Sequence, residues 1–411
     1  MSASKLLPLE DAIEQLSSRV QTCSQEETTP IEQALNRVSA SDIKARISQP
    51  PFHNSAVDGY AFRISDIQKS ALPVTMRVPA GSAPGQLKEG EAARIFTGAP
   101  VPEGADCVLM QESAELSELN GTTLLSTSSN LSLNQNLRPA GQDFQVGDTL
   151  LRKGDVLRPQ NISLLASSGI AEIKTYRPLT VAVVSTGDEL AQPGSELKPG
   201  QIYNSNQYLL EGLIRSFGFE VRNIGCVADK LDATIEALNK AAESDIIISS
   251  GGASVGEEDY IKAAIEELGE IDFWRIAIKP GKPFMLGKVG DTPILGLPGN
   301  PSAVLVTFLM LARSVLLKRQ GCRVTQIRTH QFHLGFNWKK AGIRREFIRV
   351  RLNEDNQIIA HPNQSSGMMR SSCWAEGFAV IPENTCPQAG DLVTFIPFSH
   401  LLQLPETTLD Q

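Results

Sequence analysis

The sequence predicts a multidomain α/β protein built on a central, mostly parallel α/β ligand-binding domain, and three observations carry that prediction. From Leu179 to about Gln320, near-continuous apolar strands alternate with amphipathic helices, the pattern of a sheet covered by helices on both faces. The stretches on either side, 51–148 and 329–411, break into short β-like runs separated by Gly, Pro, Asn and Ser. Length is the third: 411 residues, against a prior of about 150 per domain, make two to four domains with ample material for a large core.

Taken in order, Leu9 to Val20 has helical periodicity, and Pro30 to Val38 continues in the same style after a polar break. With ISLLASSGIAEIKTY, a short helix followed by a strand, these segments form a small helical and linking region, 1–50 plus 149–178. Residues 51–148 form a β-rich insertion domain with long turns such as GSAPGQLKEGE and TGAPVPEGAD. The α/β domain, 179–328, reads as strand LTVAVVST, helix NSNQYLLEGLIRSFG, strand EVRNIGCV, helix KLDATIEALNKAAE, strand DIIISS, helix YIKAAIEELG, strands DFWRIAI, PFMLGKV and PILGLPG, then helix PSAVLVTFLMLARSVLLK. Residues 329–411, with REFIRVRL, GFAVIPEN and DLVTFIPF, form a C-terminal β domain.

Composition narrows the function. Lys plus Arg (38) against Asp plus Glu (46) leaves a net charge of -8, which disfavours a dedicated nucleic-acid binder but leaves room for a local anion pocket. The six cysteines lie far apart, at no metal-ligand spacing, and are expected to be reduced thiols. The N-terminus lacks the apolar run of a signal peptide, so a cytoplasmic location is expected. The apolar stretch Ile294 to Leu317 is broken by Gly296, Pro298, Gly299, Asn300 and Pro301, and reads as a buried loop and helix instead of a membrane span. No histidine has strong metal spacing, and no GxSxG elbow supports serine hydrolysis.

The residues that could carry chemistry gather at strand ends, where open α/β sheets bind ligands. Ser185, Thr186, Gly187, Asp188 and Glu189 follow a buried strand. Hydroxyls and free amides there hold an oxyanion and acids a divalent cation, or the segment is a capped turn. The next strand runs through Ser250 into Gly251, Gly252, Ala253 and Ser254, a loop whose glycines admit a phosphate, with Asp259 as metal ligand or helix N-cap. This loop matches neither the dinucleotide fingerprint nor GxxxxGK[ST]. IKPGKP presents Lys279 and Lys282 to an anion or simply to solvent. Arg275 shares a strand face with Lys279 if that strand is regular. LPGNPSAV makes a rigid turn before a helix, with Pro298 and Pro301 around Gly299 and Asn300. In the β-rich domain, Asp58, Thr97 and Asp143 are each turn residues when taken singly; together, the acids could close on an anionic ligand only with a cation present.

The ordered set PPFHNSAVDGYA, FTGAPVPEGAD, VVSTGDEL, DIIISSGGASVGEEDY, IKPGKP and LPGNPSAV resembles the molybdopterin molybdenumtransferase family, the bacterial MoeA proteins and the related domain of gephyrin. The resemblance spans nearly the whole chain and makes the central domain one of the molybdopterin-binding type. It implies an elongated homodimer of four-domain subunits that inserts molybdate into adenylylated molybdopterin, releasing AMP and molybdenum cofactor with Mg2+ present. Ser185, Ser250, Gly251, Gly252 and Ser254 would bind pterin or phosphate alongside Gly187 and Asp188. Glu189, Asp229 and Asp259 match family acids, with Glu189 and Asp259 the expected Mg2+ ligands. Asp58, Thr97 and Asp143 match polar residues near the transfer site. Lys279, Lys282 and Arg275 would offset phosphate or molybdate charge, Pro298 and Pro301 would shape the pocket, and Arg349 and Ser371 match residues of the C-terminal domain. The expected partners are a molybdopterin adenylyltransferase upstream and molybdoenzymes receiving the cofactor. Two other activities stand beside this one: adenylyl transfer to molybdopterin, and a non-catalytic cofactor carrier or scaffold.

Overall fold

The computed structural model describes residues 6–23, 25–251 and 260–405. The chain divides into two compact units, one drawn from 1–41, 153–158 and 172–411, the other from 42–152 and 159–171.

The first unit is organised by a six-stranded sheet in the order Glu220–Val227, Thr180–Thr186, Ile246–Ser250, Thr292–Leu297, Pro283–Val289, Gly269–Arg275. The first four strands run parallel; Pro283–Val289 then pairs antiparallel with Thr292–Leu297, and Gly269–Arg275 antiparallel with Pro283–Val289. The sequence explains the parallel part: TVAVVST and IIISS are β-branched and apolar on both faces, and the residues of Ile246–Ser250 are all buried. Helix Ser205–Ser216 starts where Asn204 accepts a hydrogen bond from the Gln207 N–H, an N-cap.

The longest helical run, Pro301–Arg319, has the length and hydropathy of a membrane span, yet 89% of its apolar window is buried inside the fold. Pro301 supplies the pre-set φ of a first helical turn, and the run relaxes into a π-helical turn at Phe308–Ala312. It packs in the same core as Leu9, Ala12 and Leu16 of helix Leu9–Arg19. A second sheet, in the order Ile278–Lys279, Arg345–Leu352, Gly377–Ile381, Leu392–Pro397, His330–His333, forms the C-terminal β part.

Two expectations are corrected. Pro30 to Val38 is not a helix but strand Glu26–Pro30, one 3-10 turn at Ile31–Gln33, and strand Val38–Ser39. Both strands pair with Glu172–Tyr176, whose open edges draw the segment into a three-stranded sheet; tertiary pairing overrides the local pattern. DFWRIAI is not one strand. It ends at Arg275, and Ile278–Lys279 joins the other sheet beside Arg345–Leu352. The break is held by Leu7, which donates to Arg275 O and accepts from Ala277 N, and by the Ile276 N–H bonded to Lys282 O. Arg275 and Lys279 therefore share no strand face.

The second unit carries a six-stranded sheet in the order Cys107–Met110, Gly59–Phe62, Ala92–Ile95, Leu72–Val78, Thr122–Ser126, Glu115–Leu119. Phe62, Leu72, Leu109 and Leu125 are buried on it.

Candidate active site

The carboxyl ends of the parallel strands converge on one crevice. Ser185 and Ser250 are register partners, both buried. Ser185 is 1% exposed, and its buried hydroxyl has no hydrogen-bond partner among the described residues, an arrangement that costs stability unless a ligand or water completes it. Gly251 follows with φ +94°, its N–H on Leu297 O. Gly252, Ser254 and Asp259 lie outside the described residues.

Beyond Thr186 the chain turns at Gly187, φ +140°, where a Cβ would meet the Glu189 carboxylate. Only glycine lets the Glu189 carboxylate fold back over this turn. Asp188 and Asp229 are joined reciprocally, each side-chain oxygen accepting from the other's N–H at 3.2 Å. Burial first, then the nearby charges of Glu189, Asp229 and Asp188, pushes the Cys226 thiol above its ordinary range. The three acids thus make one negative cluster that a cation would offset. Among the described residues, no group of three or more His, Cys, Asp and Glu side chains converges as a ready-made metal site.

Against this crevice lies a cavity of about 730 Å3, closed on its other side by the C-terminal sheet. Lys279, Lys282, Pro298, Arg344 and Arg349 line it, as do Gly299 and Asn300 at the start of the apolar helix. Pro298 is buried against it, whereas Pro301 sits in the first turn of that helix. Ser302 ties the helix start to the C-terminal part, donating from its N–H to Ser366 O and from its hydroxyl to Met368 O. Lys279 pairs with Glu346 at 3.0 Å.

Arg349 is the decisive side chain. It is 1% exposed, its Nε donates to Ser371 Oγ at 3.2 Å and its Nη2 to Ser365 O at 3.1 Å. No carboxylate pairs with it among the described residues, and burial alone pushes its pKa down to about 10, so it remains charged at neutral pH. A buried cation without a counter-charge is expensive, and an oxyanion entering the cavity would supply the missing charge. Arg275, by contrast, is exposed at its strand end and does not line the cavity.

In the other unit, Asp58 accepts from Thr97 N at 2.7 Å and Thr97 Oγ1 at 2.8 Å, and these bonds hold its carboxyl below the ordinary range. Asp143 is exposed, its N–H on Gln49 O, and no hydrogen bond joins it to that pair among the described residues.

Sequence reading missed Arg344, Glu346, Gln364 and Ser365, all of which line the cavity. For Glu346 a signal existed: in REFIRVRL it alternates with Ile348, Val350 and Leu352, an acid on an otherwise apolar strand face. Gln364 and Ser365 sit in a loop that carries no period.

The fold and site define a class: an α/β domain with its crevice at the ends of parallel strands, extended by a cation-lined cavity against an added β domain. Family models match the chain in three consecutive parts: the MoeA N-terminal region (domain I and II) over residues 7–169, a probable molybdopterin binding domain over 182–318, and the MoeA C-terminal region (domain IV) over 331–398. The chain is 40% identical to a molybdopterin molybdenumtransferase of Haemophilus influenzae over 97% of this chain and 100% of the relative. A putative molybdopterin biosynthesis protein of Methanocaldococcus jannaschii is 32% identical over 92% of this chain and 94% of the relative. The crystal structure of a molybdopterin biosynthesis MoeA protein from Pyrococcus horikoshii superposes with a TM-score of 0.79 at 35% identity, covering 96% of this chain and 99% of that one. The chain belongs to the MoeA family of molybdopterin molybdenumtransferases.

Proposed function

We propose that this chain inserts molybdate into adenylylated molybdopterin, giving molybdenum cofactor and AMP. One observation carries the reading: Arg349, buried beside Ser371 with no carboxylate paired to it among the described residues, faces a cavity that also holds Lys279 and Lys282. Molybdate and phosphate are both tetrahedral oxyanions, and fixed cationic donors hold such groups without needing to reorganise. The 40% identical relative that matches this chain from end to end bears the name of that transferase, which favours insertion over adenylyl transfer or a carrier role.

In this reading Arg349, Lys279 and Lys282 hold the oxyanion. Ser371 fixes the guanidinium, Glu346 positions the Lys279 ammonium, and Pro298 shapes the wall. Ser185, Ser250 and Gly251 receive the pterin or its phosphate, with Gly187, Asp188 and Asp229 framing that end. Rate enhancement comes from holding two anions together and neutralising their repulsion.

Mg2+ fits the donors present. It favours one or two carboxylates, with waters and substrate phosphates filling the rest of its shell, so it needs no three-ligand protein cage. Glu189, folded over Gly187, and the adjacent acids are such donors. Bound there, Mg2+ would neutralise phosphate charge at the pyrophosphate linkage. Asp259 remains a proposed second ligand, and Gly252 and Ser254 proposed phosphate contacts, on the family resemblance. Asp58, Thr97 and Asp143 remain proposed transfer-site residues on the same ground, as does a charge-offsetting role for Arg275, which its exposed position does not favour. The homodimer, the cytoplasmic location and exchange with an adenylyltransferase and with molybdoenzymes also rest on that resemblance. The four-part division, 1–50 with 149–178, 51–148, 179–328 and 329–411, rests on that resemblance as well; the family models begin and end close to its last two boundaries only.

The test is AMP release by the purified protein given adenylylated molybdopterin, Mg2+ and limiting molybdate, with active cofactor scored in the same samples. Multiple molybdate-dependent turnovers are expected. Tight binding without AMP or cofactor would move the reading to a carrier.

A further inference from the structure

A second buried arginine lies apart from the oxyanion cavity. Arg313 sits in the apolar run Pro301–Arg319, followed by the core residues Val315, Leu316 and Leu317, and is 2% exposed. An arginine is almost never buried this deeply unless it is paired. Its Nη1 donates to Thr325 O at 3.0 Å, while its Nε is buried with no acceptor among the described residues. No carboxylate pairs with it among the described residues. Burial, partly offset by the Cys322 sulfur, pushes its pKa down to about 10, so the guanidinium stays charged at neutral pH.

The side chain lines a pocket of about 30 Å3, walled also by Val324, Arg328, His400 and Leu404. None of the lining residues is an acid, and none of them lines the oxyanion cavity. The walls come from three stretches of chain: the long helix, the segment that leaves it toward the C-terminal sheet, and the residues at and after helix Phe398–Leu401. Polar contacts fix them in place. His400 Nδ1 lies 3.3 Å from Arg328 O, its ring sits 5.2 Å from that of His330, and Arg158 donates to Leu404 O.

Size and charge together select the occupant. A cavity needs about 10–15 Å3 to hold one water, so this one takes a water or two, or one monatomic ion, and is too small for a tetrahedral oxyanion. Water would give the Nε–H an acceptor but leave the buried charge uncompensated. An anion does both, and a buried cation without its counter-charge is the costlier state.

We propose that this pocket binds one small monovalent anion of the halide class on the Arg313 Nε–H, and that the anion fastens the last segment of the chain to the core helix. The site is structural and does not depend on the insertion reading. It differs from the oxyanion cavity in the ion it admits, since molybdate fits there and not here.

The experiment pairs thermal unfolding with bromide-soaked crystals of the full-length protein. Replacing gluconate by chloride at constant ionic strength is expected to raise the wild-type midpoint by about 3 °C, a binding effect that screening does not reproduce. In Arg313→Met, which keeps most of the volume and removes the charge, that rise should vanish. Equal chloride responses in wild type and variant overturn the proposal. The bromide crystals decide even where the variant does not fold: an anomalous peak beside Arg313 Nε is expected in wild type, and it should persist in excess molybdate. Density there for water, or for a side chain of the protein itself, overturns the proposal, and a peak displaced by molybdate overturns the halide assignment.

Discussion

Replacing Arg349 with Met separates a ligand-binding arginine from a structural one. Burial lowers the Arg349 pKa to about 10, which corresponds to about 3 kcal/mol of penalty on its charged form in the empty cavity. The side chain recovers part of this through its bonds to Ser371 Oγ and Ser365 O, worth about 1 kcal/mol each. Removing the charge therefore relieves about 3 kcal/mol and forfeits about 2, and Met fills most of the space, so the unliganded variant should match or slightly exceed wild type in stability. Binding moves the other way. Two charge-assisted bonds to an oxyanion, at about 1.5 kcal/mol each, make a loss of about 100-fold in molybdate affinity. The assay is the thermal midpoint with and without molybdate, with molybdate retention measured by equilibrium dialysis. Wild type should be stabilised by the anion and the variant should not. A variant that loses more than about 2 kcal/mol of stability while retaining molybdate normally would refute the reasoning, because Arg349 would then be a strut of the C-terminal sheet.

Three further predictions follow from single observations. Ser185→Ala removes a buried hydroxyl that has no partner among the described residues, so it should leave the thermal midpoint unchanged or slightly raised while lowering kcat/KM about tenfold; marked destabilisation would show that the hydroxyl has a partner in the core. Glu189→Gln should raise the Mg2+ concentration needed for half-maximal AMP release, and an unaltered Mg2+ dependence would remove Glu189 as a ligand. Thr97→Val should raise the Asp58 pKa toward its ordinary value, read by carboxyl NMR titration. The sign is fixed by the bond: a carboxyl held below its unfolded value favours the fold above that value, and the advantage fades as pH falls through the folded pKa. An Asp58 titration identical in the variant would mean that another group sets it.

Much of the fold was legible because local chemistry and tertiary role agree. TVAVVST and DIIISS read as doubly buried strands, and their carboxyl ends place Ser185, Gly187, Asp188, Glu189, Ser250 and Gly251 together. The prolines and glycines breaking the stretch before Pro301–Arg319 argued for a core helix, and the structure buries it. Pro30 to Val38 failed because its strands exist only when Glu172–Tyr176, over a hundred residues away, offers its edges.

The same split runs through the site. Sequence located the strand-end loops rich in Gly, Ser and acids, while leaving ligand binding and simple turn capping both open for them. Only the tertiary structure decided that Arg349, from a sheet built by the last third of the chain, closes the cavity that Lys279 and Lys282 open. It also left Arg275 outside, because Ile278–Lys279 leaves one sheet to join the other. A one-dimensional pattern records the period of a strand, whereas the charge left unpaired in a cavity depends on which distant strands meet there.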